Sequence, residues 1–461
     1  MEWLESINSS INNIVWGWPT MILLVGTGIY LTIRLRFLQF RRLGRSISAT
    51  LGRNKSDTGK NEISPFQAFA TALAGTVGTG NIVGCTGAII AGGPGAVFWL
   101  WISGLFGMAT KYSEVFLAVK YRRKNHLGEY VGGPMYYIQD GLVNRWKWLS
   151  YLFSLFGALA AFGIGCLSQI SSMVSALKMS VGSFTEMSEK TESMMSLGTG
   201  IIFGIILTLV IIGGLKRIGV FAASVSPVMS ILYIFCALVV IILNIGKLFD
   251  VLKAIFVGAF NPAAIVGAAT GITIKNAINN GLGRGLFSNE AGQGSAPIAH
   301  AGTKETVPAK QGMSGIFEVF FDTIVICTIT CLAVLMSGAD IEYITGDKNV
   351  LPILAFSKVF GDAFGSISVT ISLILFAFTT MVSWSLYGVR CFEYLVGTDR
   401  FSILYKLLFV AAVVYGATVP LGLAYRISDT LNGLMAIPNI IAVLLLSGKI
   451  AKESNEFFFA K

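Results

Sequence analysis

The stretch Ala74–Gly84, AGTVGTGNIVG, lies in the middle of a long apolar segment and carries glycine at four of its eleven positions. Glycine weakens a helix interior by about 1 kcal/mol relative to alanine. Thr79 and Asn81 add polar side chains at the same place. The chain around it is 461 residues long, 54% hydrophobic and only 13% charged, against about 25% charged in a soluble domain. Apolar runs of roughly 20 residues, enough to cross a bilayer, recur along its length. The expected fold class is an all-α polytopic membrane protein, because a β-barrel would show weak alternation instead.

The pattern predicts eleven spans, at 18–36, 64–91, 95–120, 147–177, 197–215, 218–246, 262–295, 311–337, 362–388, 402–421 and 429–448. The opening MEWLESINSSINNIVWGW is acidic and polar and lacks the basic start of a signal peptide, so the run from Trp18 is expected to be a retained span. Placing the N-terminus outside puts the basic loops inside. These hold Arg34, Arg36, Arg41, Arg42, Arg45, Arg53, Lys55 and Lys60, then Lys120 to Lys124 with Arg145 and Lys147, then Lys216–Arg217, 296–310, 388–401 and the tail to Lys461. The other loops carry Glu186, Glu189, Glu192, Asp340, Glu342 and Asp347. The net charge of +10 is thus a matter of topology and gives no reason to expect nucleic acid. The six cysteines fall in or near apolar segments and are expected to be small buried hydrophobes. The two histidines, His126 and His300, have no ligand-like neighbours, so no histidine metal site is expected.

Two spans differ from the rest in being interrupted. One opens SPFQAFATALAGTVGTGN and the other NPAAIVGAATGITIKNAINNG, each with a small polar residue followed by proline, a suitable first-turn residue. Each begins a set of five spans, and since five is odd the second set must be inverted. Pro227 and Pro438 fall at similar places in the last span of each set. The expected organisation is an extra span and basic loop at 1–62, a first repeat at 63–246, an inverted repeat at 261–448 and a cytoplasmic tail at 449–461. Interrupted helices at equivalent positions of inverted halves point to the binding site of a secondary transporter.

A break leaves amides and carbonyls without helical partners, and in lipid this is tolerated only inside protein or beside water. The exposed amides suit a carboxylate, here at Thr79 and Gly80 with Asn81 adjacent. The carbonyls of Ala74 and Val77 suit a hard cation such as sodium. Gly75 and Gly84 are open to a second reading, as close-packing residues. A phosphate loop is excluded by the missing strand–turn–helix context and basic residue. In the second break the polar residues are Thr270, Gly271, Thr273, Lys275, Asn276, Asn279, Asn280 and Arg284. Lys275 is expected to snorkel or to pair with Glu290, Glu318 or Asp322. Gln169 is poised either to bond a substrate or to bridge helices. Thr379, Thr380 and Ser383 are poised to complete an oxygen cage or to bond their own i−4 carbonyls. Glu318 and Asp322, four residues apart on one helix face, are a candidate relay or partners for lysine or arginine.

GGPGAVFWLWISGLFG (Gly92–Gly107) and NGLGRGLFSNEAGQGSAPIAHA (Asn280–Ala301) resemble the two signatures of the alanine or glycine:cation symporter family. Leu100 stands where that family is expected to have methionine. Val77-Gly78-Thr79-Gly80-Asn81 is similar to the V-G-x-G-N of the broader LeuT-type group with its five-plus-five inverted repeat and two discontinuous helices. The resemblance implies that the Thr79 and Gly80 amides hold the substrate carboxylate, with Asn81 near substrate or ion. It implies a sodium site from Ala74, Val77 and Thr379 or Thr380, with Ser383 in the same hydroxyl cluster. The backbone of Gly271, Ile272 and Thr273 would receive the amino group, with Asn276 and Gln169 beside the substrate. Phe162 and Trp384 are candidate walls. The expected function is sodium-coupled uptake of alanine or glycine by alternating access across the plasma membrane of a prokaryote, with sodium as coupling ion, membrane lipid as surroundings and no cofactor. A proton-coupled carrier is the alternative, with an ion channel behind it. An enzyme is not expected, since the spans hold no nucleophile–base pair.

Overall fold

A computed structural model describes residues 8, 10–12, 15–52 and 62–459; Arg53, Lys55, Lys60, Lys461 and the first seven residues lie outside the described residues. Among the described residues, six single helices are long and apolar enough to cross a membrane: Asn144–Gly182, Glu189–Ile211, Gly214–Leu243, Pro308–Met336, Asp362–Val396 and Leu421–Phe459. A seventh span forms when Pro65–Thr76 and Gly80–Gly92, bent by 49° against each other, are taken together. The chain is a multi-pass membrane protein. The other expected spans are also helical: Ala96–Lys120 is a continuous helix of 25 residues, while Trp18–Arg34, Ile274–Asn289 with Ala296–Ala301, and Ser402–Gly416 are shorter or interrupted.

Local chemistry fixes the starts of the two broken helices. Ser64 caps the first, accepting from the Gln67 amide at 3.1 Å while the Gln67 side chain accepts from the Ser64 amide at 2.9 Å, and Pro65 takes the first position where no amide bond is needed. Thr273 and Asn276 form the same reciprocal cap on Ile274–Asn289. The half-helix Pro65–Thr76 is enclosed by Gly214–Leu243, Asp362–Val396, Pro308–Val319 and Ala296–Ala301. Ile274–Asn289 packs on Cys85–Gly92 and Ala96–Lys120. Pro227 and Pro438 both lie within helices, and all six cysteines are buried and free.

The second interruption differs from its expected place. Residues 262–273 form only short turns at Ala263–Val266 and Ala268–Thr270 before the helix begins at Ile274. The break comes instead after Asn289, where Glu290, Gly292 and Gly294 have φ of 53°, 92° and 83°. A β-carbon at Gly294 would stand 2.4 Å from Pro134 Cγ, so this position demands glycine for both conformation and space. Gly271, Thr273 and Lys275 are exposed.

The basic loops gather at one end of the bundle. Arg41 lies 4.7 Å from the Phe459 ring centre, Arg42 donates to the Phe458 carbonyl at 3.2 Å and Lys120 pairs with Glu453 at 2.6 Å. Arg122 donates to carbonyls of Ala301, Thr303 and Glu305, and Arg390 pairs with Glu129 and Glu393. The first basic segment, the loop after Lys120, the 296–310 segment, the 388–401 loop and the tail therefore share one face, as the charge distribution predicts.

Candidate functional site

The first break spans Val77–Thr79, between the end of Pro65–Thr76 and the wide helical turn Gly80–Gly84. Its free donors are taken by side chains. The Gly78 amide donates to Asn81 Oδ1 at 2.9 Å. Thr79 gives both its amide and its hydroxyl to Gln169 Oε1, at 3.3 and 3.1 Å. Gln169 is itself held by a bond from Nε2 to the Ile164 carbonyl at 2.9 Å. Its amide oxygen thus accepts both donors that Thr79 presents just before the turn Gly80–Gly84. Tyr425 OH donates to Thr79 Oγ1 at 3.1 Å and covers the break.

On the carbonyl side, Thr380 Oγ1 donates to Ala74 O at 3.1 Å and to Phe376 O at 2.9 Å. Ser383 Oγ donates to Thr71 O at 2.8 Å, one turn earlier on the same half-helix. Thr379 turns away: its hydroxyl lies 3.3 Å from Met229 Sδ and 3.0 Å from the Leu375 carbonyl. Of the two threonines, Thr380 is therefore the one beside Ala74, and Thr379 follows the back-bonding pattern of a membrane helix. Val77 is buried at the break with its amide bonded to the Leu73 carbonyl at 2.7 Å.

The second break comes close to the first. A β-carbon at Gly80 would lie 3.6 Å from the Phe287 ring and 3.9 Å from Ser288 Cα. Between the two breaks stands Asp322, fully buried. Its carboxylate accepts from Asn81 Nδ2 at 2.7 Å, from Ser288 Oγ at 2.9 Å and from Thr323 Oγ1 at 2.8 Å. One carboxylate thus joins both interrupted helices to the span Pro308–Met336. Glu318, one turn before it, goes elsewhere: it pairs with Lys111 at 3.3 Å and with His300 Nε2 at 2.9 Å. The two acids expected on one face therefore have separate surroundings.

Gly271, Ile272, Thr273 and Asn276 do not reach this centre. They stand about three helical turns beyond Asn81, where Ile272 approaches Gly93 and the Asn276 carbonyl approaches Gly92. The interruption expected at Gly271–Thr273 is thereby corrected to the segment after Asn289, and Gly271–Thr273 lie apart from the first break. Trp384 is fully buried and donates from Nε1 to Glu290 Oε1 at 3.0 Å, and Phe162 packs on Tyr405 and Phe409. The signal that marks the true break is the alternate glycines of Asn289–Ser295, NEAGQGS, next to an acid.

Toward the end opposite the basic loops, a cavity of about 140 Å³ is lined by residues that include Asn279, Arg284, Phe287 and Asp429. Arg284 pairs with Asp429 at 3.5 Å. Lys348, on the loop before Val350, places its ammonium 3.8 Å from the Tyr425 ring centre. Burial, reinforced by Arg284, lowers the Lys348 ammonium to about 8. The folded chain thus binds fewer protons at this group than the unfolded chain between about 8 and its ordinary value, and stability rises with pH across that window. Thermal unfolding in detergent is expected to show this rise, and Lys348→Met to remove it; a rise of the same size in Lys348→Met would contradict the assignment.

Two interrupted helices meeting inside an apolar bundle, joined by one buried carboxylate that accepts from a side chain of each, mark a membrane transport protein. A model described as the sodium:alanine symporter family matches residues 1–461, and the chain belongs to that family. It is 42% identical over 459 residues to the sodium/alanine symporter AgcS of Methanococcus maripaludis, covering 99% of this chain and 98% of that one. An uncharacterized transporter of Haemophilus influenzae is 44% identical over 456 residues, covering 99% and 96%. A probable sodium/glutamine symporter, GlnT of Bacillus subtilis, is 37% identical over 444 residues, covering 96% and 88%. Among solved structures, a manganese transporter of Eremococcus coleocola shares the fold with a TM-score of 0.56 at 14% identity, covering 88% of this chain and 85% of that one.

Proposed function

We propose that the chain is a symporter that couples sodium entry to uptake of small neutral amino acids, alanine and glycine, by alternating access. The observation that carries this reading is the Asp322 carboxylate between the two breaks, bonded to Asn81 of one and Ser288 of the other. The substrate carboxylate displaces Gln169 Oε1 from the Thr79 amide and hydroxyl, with Gly80 adjoining. The ammonium group is received at the carbonyl end of Ile274–Asn289, the negative pole of that helix. The 3.6 Å separation between a Gly80 β-carbon and the Phe287 ring favours a hydrogen or a methyl as the substrate side chain.

Sodium sits beside the Ala74 carbonyl with the Thr380 hydroxyl, and Val77 and Ser383 complete the oxygen set from the same two helices. Hard cations take oxygen ligands of this kind. Asp322, with Asn81 and Ser288, supplies a negative charge for a cation on the other side of the substrate. The related AgcS, named a sodium/alanine symporter, supports the ion and the substrate.

The two broken helices begin five-helix sets at 63–246 and 261–448, the second inverted, with Trp18–Arg34 outside the scheme. The N-terminus is outside and the tail at 449–461 cytoplasmic, in the plasma membrane of a prokaryote. The test is uptake of labelled alanine by proteoliposomes under an imposed inward sodium gradient. Uptake is expected to rise about tenfold or more over sodium-free vesicles. Uptake that follows a proton gradient and ignores sodium would overturn the choice of ion, and uptake indifferent to both would overturn symport.

A further inference from the structure

Trp384 has a partner that the transport reading above does not use. Thr380 and Trp384 lie four residues apart on Asp362–Val396 and so on one face. Thr380 meets the Ala74 carbonyl at the first break, and Trp384 meets Glu290 at the second. The facing helix repeats the spacing. Gln169 holds Thr79, and Gly165, four residues earlier, lies so close to Trp384 that an added β-carbon would be 2.2 Å from Trp384 Cβ. A β-carbon on Gly78 would meet both Thr380 and Gln169. The first break is therefore clamped at one level and the indole is fixed one helical turn away.

Glu290 is the residue at which Ile274–Asn289 stops, in the left-handed conformation. Its carboxylate accepts from Trp384 Nε1 on one oxygen and from Ser295 Oγ on the other. Ser295 leads directly into the half-helix Ala296–Ala301. The carboxylate thus spans the gap in the backbone and fastens both of its sides to Asp362–Val396. One helical turn and one buried hydrogen bond separate Thr380 at the first break from Glu290 at the second.

We infer that the Trp384–Glu290 contact couples cation occupancy at the Ala74–Thr380 pair to the second broken helix, so that sodium and amino-acid binding reinforce each other through it. This rests on the sodium assignment proposed above. In this coupling Trp384 and Glu290 act as positioning residues, through the hydrogen bond between them. Coupling of this kind is reciprocal, so sodium raises alanine affinity by the same factor as alanine raises sodium affinity.

The experiment measures equilibrium binding of labelled alanine to the purified full chain with and without sodium. Trp384→Phe keeps a packing ring and removes the donor. It is expected to shrink about tenfold the sodium-induced gain in affinity, read as the ratio of affinities with and without sodium in the same variant. Glu290→Ala should behave like Trp384→Phe, and Glu290→Gln, which keeps an acceptor for the indole, should retain the gain. A full gain in Trp384→Phe overturns the inference. A wild-type chain whose alanine affinity ignores sodium overturns the symport reading itself. In the unmodified chain, sodium alone is expected to slow amide exchange across 290–296 as well as 74–81; protection confined to 74–81 would overturn the coupling even if the variants fail to fold.

Discussion

Asp322→Asn is expected to raise the sodium concentration needed for half-maximal alanine uptake by on the order of a hundredfold. The carboxylate accepts three hydrogen bonds, from Asn81, Ser288 and Thr323, and those donors converge on it from both broken helices and from its own span. A carboxamide has one oxygen to offer them and turns an NH₂ group toward the hydroxyls. The hydroxyls can rotate to accept, but the negative charge is gone, and hydrogen bonds to a charged group contribute about 1.5–3 kcal/mol each. The check is uptake in proteoliposomes across a series of sodium concentrations, with melting in detergent to confirm that the variant folds. A sodium requirement within about threefold of wild type would remove Asp322 from the cation and leave it a structural link.

Gly78→Ala is expected to reduce alanine uptake at least about thirtyfold, whereas Gly84→Ala stays within about twofold of wild type. Both glycines lie in the opening stretch, and only their surroundings separate them. A methyl at Gly78 would be 2.6 Å from Thr380 Oγ1 and 3.4 Å from Gln169 Oε1. Neither neighbour can yield freely, since Thr380 is tied to Ala74 and Phe376 and Gln169 to Ile164. At Gly84 the nearest atom is Arg284 Cδ at 4.0 Å, an ordinary contact. Equal loss in the two variants would mean that the break tolerates no side chain anywhere and that the Thr380–Gln169 cleft has no special part. Gly75 belongs with neither: its β-carbon would meet Tyr387 OH at 2.7 Å, which fits close packing.

The first break was legible because its glycines and polar residues coincide within one apolar run. The second was misplaced because its polar residues are spread over 270–284, and a polar run at the mouth of a helix looks the same in sequence as one at its middle. Asn279 and Arg284 line the cavity at the end opposite the basic loops, and the real interruption follows ten residues beyond Asn279. Glu318 and Asp322 show the same limit. Their spacing put both on one face, but whether each met a cation or a break depended on Lys111, His300, Asn81 and Ser288, which come from four other segments of the chain. Trp384 was expected as a candidate wall because a bulky ring beside a glycine-lined site leaves room for little more than a methyl; its hydrogen-bond partner, Glu290, lies 94 residues away and could not be read from spacing.

Hydropathy, charge and glycine content depend on the chain's local chemistry, so the sequence by itself determined a helical membrane protein, the face on which its basic loops collect, and a broken helix at Ala74–Gly84. Backbone amides and carbonyls freed by that break are local facts too. Which side chains satisfy them is not local. Thr380 rather than Thr379 meets Ala74, Gln169 takes the Thr79 amide, and Asp322 joins the two breaks, because helix rotation and packing are set by contacts across the whole bundle. Only the tertiary structure decided those, by bringing residues 90 to 306 positions apart to within hydrogen-bond distance.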